Sequence, residues 1–308
     1  MSTMPPPLVS VCVPTFNGAA YLAEALASIE AQDYPNIEII VSDDGSADDT
    51  LAIAEKFAAN SRFPCRIFRH APDTLAGNWN YAASHASGEF LKYVFQDDII
   101  YPAHIHLLVA AAEAERNVIF AFAKRDILFS EATAKTEVAR RMKNGIAELH
   151  RGFTRLRPAQ IGYDLLADPR LLEGNWNKIG EPTFVLIRRA AFLSIGGFDA
   201  SFRQLIDLDL YFRLMTKGSV AFVDQSIGGF RVHDRQLSVT QAISGLSGRE
   251  LADFARKMLR DDMRCHFHRL AIRQLEWTAK GNTGSKPGWL RSKRLAIKAW
   301  LRRLLGIK

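Results

Sequence analysis

Five short clusters carry side chains whose types and spacing could do chemistry. Asp97 and Asp98 follow the apolar pair Val94-Phe95. Two adjacent carboxylates at a strand end suit a hard divalent cation, because Mg²⁺ or Mn²⁺ takes one or two carboxylates and completes its shell with water and phosphate oxygens. The same pair also suits a polar turn opening a helix ahead of Pro102, where the helix dipole favours acids. In Asp43-Asp44-Gly45-Ser46 a carboxylate could accept from a nucleobase N–H, and Gly45 permits close backbone approach. The plainer alternative is a connector with Ser46 as helix cap. Pro14-Thr15-Phe16-Asn17 ends an apolar run, and Asn17-Gly18 is turn chemistry that could line a pocket. Asp207 and Asp209 stand two apart in an apolar stretch, so at a helix start they cannot both face the core. One could serve as a general base while the other caps the helix or pairs with Arg213. His233 could ligate a metal or donate to a phosphate, although a lone histidine is more often a surface or core residue.

The elements that must position these groups alternate strand and helix. Leu8 to Val13, Ile37 to Val41, Arg66 to Arg69, Glu89 to Phe95 and Val118 to Ala123 read as strands. Between them, Tyr21 to Gln32 has Leu22, Leu26 and Ile29 at helical spacing. Ser46 to about Ala59, Asn78 to Ala86 and Pro102 to about Arg116 also read as helices. Apolar strands alternating with helices predict an α/β fold with a mostly parallel sheet covered on both faces. Ligands of such sheets bind beyond the carboxyl ends of the strands, and that rule brings the three N-terminal clusters to one rim. Residues 124–180 are less regular and basic. Order returns with a strand at Thr183 to Arg188, a helix at Arg189 to Ile195, a turn at Gly196-Gly197, a helix at Leu205 to Lys217 and a strand at Val220 to Val223.

Composition excludes several classes. Of 308 residues, 48% are apolar and 24% charged, which argues against wholesale disorder or a fibrous repeat. Three scattered cysteines lack disulfide or zinc spacing and point to a reducing compartment. No apolar run reaches the roughly 18 residues of a membrane span. Met1 to Pro7 has no signal-like region, so a cytoplasmic location is expected. There is no Gly-x-Gly-x-x-Gly, no phosphate loop ending in Gly-Lys-Ser/Thr and no Gly-x-Ser-x-Gly elbow, against dinucleotide dehydrogenases, P-loop enzymes and that type of hydrolase.

Taken together the clusters resemble something known. "VSVCVPTFNGAAYLAEALASIEAQDYPNIEIIVSDDGSADDT" (Val9 to Thr50) resembles the start of the family 2 glycosyltransferases of GT-A fold. The resemblance continues in "LAGNWNYAASHASGEFLKYVFQDDIIYP", "GEPTFVLIRRAAFLSIGGFD", "LIDLDLYFRL" and "FRVHDRQLS", and covers about residues 8–240. It implies a GT-A domain over residues 1–240, with a nucleotide-binding part at about 8–123 and an acceptor and catalytic part at about 124–240. It also implies inverting transfer of a sugar from a nucleotide-diphosphate donor to an acceptor hydroxyl of a glycan or glycolipid, with Mn²⁺ or Mg²⁺. By position, Pro14, Thr15, Phe16 and Asn17 would line the nucleoside pocket, with Asp44 at the base and Asp43 behind it. Asn78 and Lys92 would be donor-side contacts and Asp97 a ribose or metal-water contact. Asp98 and His233 would hold the metal. Asp207 would be the base, with Asp209 in reserve, and Glu181 and Trp176 would lie near the acceptor. Gln96 and Ile206 depart from the family pattern, which has acids there. They motivate the alternative of a catalytically silent nucleotide-sugar or membrane-binding module. A sugar-1-phosphate nucleotidyltransferase would need a Gly-rich N-terminal loop that this chain lacks.

Net charge is +7, but it is unevenly held: residues 264–308 contain 12 of the 40 Lys and Arg and 1 of the 33 acids. The body is slightly acidic and gives no reason to expect nucleic acid. Residues 241–308 read as a basic helical extension. From Trp289 onward, Ile297, Trp300, Leu301, Leu304 and Leu305 fall on one helix face and cations on the others. That pattern fits residues 277–308 lying on an anionic membrane surface, as a peripheral association with the inner face. A helix packed on the body, or a solvated tail, would look similar.

Overall fold

The computed structural model describes residues 5–129, 149–233 and 246–282. Its strands are β1 (Val9–Thr15), β2 (Ile37–Asp43), β3 (Cys65–Arg69), β4 (Phe90–Tyr93), β5 (Ile99–Ile100), β6 (Val118–Phe129), β7 (Ala159–Ile161), β8 (Val185–Arg188) and β9 (Ser219–Val232). Its helices are α1 (Leu22–Glu30), α2 (Thr50–Ala58), α3 (Leu75–Ser84), α4 (His104–Glu113), α5 (Gly162–Leu166), α6 (Arg189–Ser194), α7 (Ile206–Met215), α8 (Leu246–Met258), α9 (Asp261–Arg264) and α10 (Arg269–Ala279).

One sheet runs in the order β3-β2-β1-β4-β8-β6-β9-β5, with β7 beside β9. The stretch β3-β2-β1-β4 is parallel, as its βαβ connections require. β8 then enters antiparallel between β4 and β6, and the sheet is mixed from there on. β1 and β2 are buried at every position, so their carboxyl ends Thr15 and Asp43 emerge side by side as registered partners. β4 stops at Tyr93, and the turn after it presents Gln96, Asp97 and Asp98 at the same rim.

β9 is far longer than its apolar start suggests. Register shifts against β6 near Lys124 absorb the polar run Asp224-Gln225-Ser226, and pairing resumes to Val232. At Gly228 a Cβ would sit 2.6 Å from the Ile99 carbonyl, so glycine lets β9 pair closely with β5. This extension carries His233 to the acidic turn.

Two apolar clusters hold the sheet. One joins Val11, Val13, Leu26, Ile29, Ile39, Val41 and Leu108 under α1, α2 and α4. The other joins Tyr93, Phe120, Phe122, Tyr211 and Phe212 with Phe254, Met258 and Leu275. The segment beyond residue 240, expected as a helical extension, contributes to the second cluster. Helices α8 to α10 belong to the core of the domain, because their apolar faces are buried in it. The expected tail helix from Trp289 lies outside the described residues. Among the described residues no helix is long and apolar enough to cross a membrane.

Candidate active site

The loop after β1 is held by four consecutive amides. Phe16 N–H donates to Gln96 Oε1 at 2.9 Å, Asn17 N–H to Ser46 Oγ at 2.9 Å, Gly18 N–H to Thr50 Oγ1 at 2.8 Å and Ala19 N–H to Asp48 Oδ2 at 3.1 Å. With these donors engaged, the loop is no phosphate cradle. What it offers is the Phe16 ring, 47% exposed on an otherwise fixed backbone. Asn17 takes a left-handed φ of 46° and its Oδ1 accepts from Ala47 N–H, so it shapes the turn.

Gln96 is more than a departure from an acid. Its Nε2 also donates to the Phe16 carbonyl at 3.0 Å, closing a two-bond ring with the same residue. A carboxylate could accept from the N–H but would face the carbonyl with a second acceptor. The amide thus ties the β1 loop to the acidic turn across 80 residues of sequence.

Behind the loop, Asp43 is fully buried and accepts from Thr15 Oγ1, Ser46 N–H and Ser46 Oγ. Ser46 is thereby spent on the loop. It does not cap α2, which begins at Thr50. Asp44 sits at the rim, accepting from Asp73 N–H at 2.8 Å with His70 Nδ1 3.4 Å away, and burial pushes its carboxyl up. Gly45 turns here with a φ of 74°.

Several positional expectations need correction. Pro14 and Thr15 are buried in β1. Asn78 is buried too: its Oδ1 accepts from Ser42 Oγ at 2.6 Å and its Nδ2 donates to the Thr15 carbonyl at 3.3 Å, so it ties strand ends together. Lys92 cannot be a donor-side contact. It is 0% exposed, and its Nζ donates to the carbonyls of Tyr93, Thr183 and Val185. Burial lowers its pKa well below the usual lysine range, with Asp98 acting the other way. Asp209 is no reserve base, being fully buried between Arg213 Nη2 at 2.6 Å and Lys257 Nζ at 2.5 Å.

The acidic pair is split. Asp98 turns inward at 1% exposure, its Oδ2 accepting from Thr183 Oγ1 at 2.6 Å and its Oδ1 from Arg231 N–H at 3.1 Å. Burial, then Asp97, raises its pKa well above the ordinary range. Asp97 stays partly exposed, its Oδ2 3.1 Å from His233 Nε2. Arg231 places that histidine: its Nε donates to the Asp97 carbonyl at 3.0 Å and its guanidinium stacks on Tyr21 at 4.7 Å, while Tyr21 packs 4.9 Å from His233. Among the described residues no three His, Cys, Asp or Glu side chains gather around one point. The pair does fit a hard cation that draws its other ligands from water and phosphate. Donor atoms 3.1 Å apart match the roughly 3 Å between neighbouring ligands around an octahedral ion with bonds of about 2.1 Å. Asp97, rather than Asp98, is the carboxylate turned toward that position.

Asp207 lies in the first turn of α7. Its Oδ1 accepts from Leu208 N–H and its Oδ2 from Asn177 Nδ2, both at 2.7 Å. Burial, reinforced by the Glu181 carboxylate, pushes its pKa up to about 7 against those hydrogen bonds. Ile206 is 2% exposed in the core, so an acid at that position would be buried. Glu181, expected near the acceptor, is gripped by Arg125 through Nε at 2.6 Å and Nη2 at 2.9 Å. Its charge is felt by both Asp98 and Asp207. Trp176 packs against the core beside Phe254.

A family model described as Glycosyl transferase family 2 matches residues 10–193. The chain belongs to that family. An uncharacterised Mycobacterium tuberculosis protein is 33% identical over 239 residues, 77% of this chain and 71% of its own length. S. aureus TarS 1–349, solved with UDP-GlcNAc, superposes with a TM-score of 0.65 at 19% identity, over 88% of this glycosyltransferase and 73% of TarS. The mannosyltransferase PcManGT of Pyrobaculum calidifontis, solved with GDP-Man and Mn²⁺, gives 0.58 at 19% identity, over 96% and 80%. These likenesses establish the GT-A fold.

Sequence reasoning missed Arg125, Asn177, Thr183 and Arg231. Each acts through a partner distant in sequence, and only the Thr183 and Arg231 positions lie inside blocks that the resemblance had already marked.

Proposed function

We propose that this glycosyltransferase moves a sugar from a nucleoside diphosphate to an acceptor hydroxyl with inversion, and that it uses Mn²⁺ or Mg²⁺. The observation that carries the reading is two kinds of carboxylate, one in the acidic turn and one at the start of α7, with Glu181 acting on both regions. Asp97 pairs with His233 at a cation-sized spacing, and Asp207 is poised near neutrality.

Phe16 offers an aromatic face to the nucleobase, and Asp44 an acceptor to its N–H edge. Asp97 and His233 would hold the cation, which when bound neutralises the charge growing on the diphosphate leaving group. Asp98 keeps Thr183 and Arg231 in place beneath them. Asp207 takes the proton from the acceptor oxygen as that oxygen attacks. With a pKa of about 7 it is ionised in a large fraction of molecules at neutral pH yet basic enough to matter, an effect typically of about 10²–10⁴ in rate. Inversion is supported by the state of its acidic neighbours. Glu181 is locked by Arg125 and Asp209 by Arg213 and Lys257, which leaves neither as a nucleophile for a covalent intermediate.

The acceptor we infer is an envelope glycan or glycolipid, reached from the cytoplasmic membrane face. The nine Lys and Arg of residues 277–308, with no acid among them, support that placement. The test is a panel of nucleotide sugars with Mn²⁺, scored by melting shift, nucleotide release and anomeric configuration of the product. Binding and release with an inverted anomer are expected. If no nucleoside diphosphate binds and no nucleotide sugar is turned over, the proposal falls.

A further inference from the structure

Helix α7, which carries Asp207, has no side-chain cap of its own at Leu205. The cap comes from another helix. Glu250 on α8 is buried at 8% exposure, and its carboxylate accepts from three successive amides, those of Arg203, Gln204 at 2.8 Å and Leu205 at 3.2 Å. These are the N–H groups that lead into α7, and a carboxylate here also meets the positive end of its dipole.

The grip continues along the same face of α8. Phe254, four residues on, packs against Phe212 at 5.5 Å, Phe202 at 6.1 Å and Trp176 at 6.2 Å. Lys257, two turns from Glu250, donates to Asp199 Oδ2 at 2.7 Å and forms an ion pair with Asp209 Oδ1 at 2.5 Å. Its bond to Asp199, with help from Ser201, overcomes burial and holds that carboxyl at about 2. One stripe of α8 therefore fixes the chain before Asp207, at 199 and 203–205, and after it, at 209 and 212. Among the described residues the Asp207 carboxylate hydrogen-bonds Asn177 and its own backbone turn, so its aim depends on where α7 starts.

We infer that α8 is a mould for the catalytic helix, with Glu250 and Lys257 as positioning residues for Asp207. The inference rests on reading Asp207 as the base. The catalytic unit then extends to at least Met258, well past residue 193 where the family match ends. Such aim is expected to matter, because misplacing a reacting group by about 1 Å can cost on the order of 100-fold in rate.

The experiment uses the full chain and the nucleotide sugar with the fastest turnover in a panel of UDP-glucose, UDP-GlcNAc and GDP-mannose with Mn²⁺. Nucleotide release is measured per binding-competent site, and sites are counted by titration with the matching nucleoside diphosphate. Glu250→Gln keeps the size but turns one acceptor into a donor against N–H groups. Its kcat per site is expected to fall at least tenfold with donor KM within twofold of wild type. Lys257→Met, which leaves the Glu250 cap intact, is expected to lower kcat per site about threefold or more. A merely structural role would lower the number of sites and leave kcat per site unchanged. If Glu250→Gln leaves no binding sites, Lys257→Met alone decides. Unchanged kcat per site in the folded variants overturns the inference. Asp207→Asn run alongside separates the two readings: if it keeps turnover, the assignment of the base has failed.

Discussion

Asp207→Asn should do two opposite things, and their combination is hard to produce by any other route. Turnover should fall by about 10²–10⁴, since the amide cannot take the acceptor proton. Stability should become less sensitive to pH. In the folded chain burial raises the Asp207 pKa from 3.8 to about 7. Between these values the folded state holds a proton that the unfolded chain has lost, so wild-type stability falls as pH rises through that window. At about 1.4 kcal/mol per unit, three units set a ceiling of roughly 4 kcal/mol. Asp207 is not completely enclosed, and the high effective dielectric that buried sites show brings the expected effect to about 1–2 kcal/mol. The amide variant carries no such titration. It loses one of the two hydrogen bonds, to Leu208 or to Asn177, at about 1 kcal/mol independent of pH. The difference in unfolding free energy between variant and wild type should therefore shift in the variant's favour from pH 4 to pH 7 and then level off. Urea unfolding at half-unit pH steps reads this directly, and the wild-type rate profile should show its acid limb near pH 7. A difference that stays flat from pH 4 to 8, or a variant within tenfold of wild-type turnover, refutes the reasoning.

Other outcomes follow from the same geometry. Gln96→Glu replaces the donor to the Phe16 carbonyl with an acceptor, and should weaken nucleoside diphosphate binding about 5- to 30-fold, from roughly 1–2 kcal/mol, with little change in melting temperature. Isothermal titration would check it, and undiminished affinity would show that the clamp does not shape the pocket. Truncation for membrane tests should begin after Asn282, because Leu275 and Thr278 are buried on α10. Removal of residues 283–308 should abolish flotation with anionic vesicles, and flotation that persists would exclude the tail as the anchor.

The sequence made the N-terminal half legible, because β1, β2 and β4 are apolar runs buried at every position and the helices between them show their period. The same rule brought the ends of β1, β2 and β4 to one rim. Four things were hidden, for physical reasons. The far end of β9 is written in polar residues and glycines that look like a turn, and only the register shift beside β6 makes them strand. Lys92 was expected as a donor-side contact, yet it is buried with its Nζ on three carbonyls. Adjacent carboxylates in a turn must point different ways, but Asp97-Asp98 alone does not say which one turns inward. That depends on Thr183 and Arg231, 85 and 133 residues further on. The role of α8 was obscured by the basic residues that follow it, which made the whole C-terminal stretch read as an appendage.

The claim at the centre of this account is that a nucleoside diphosphate and a divalent cation meet at Asp97 and His233. Titration of UDP and GDP into wild type and Asp97→Asn, each with and without Mn²⁺, tests it most directly. The account predicts that Mn²⁺ tightens binding of one nucleotide at least tenfold in wild type, and that Asp97→Asn abolishes the tightening while the fold melts at the same temperature. Tightening that survives in Asp97→Asn, or is absent from wild type, would contradict it.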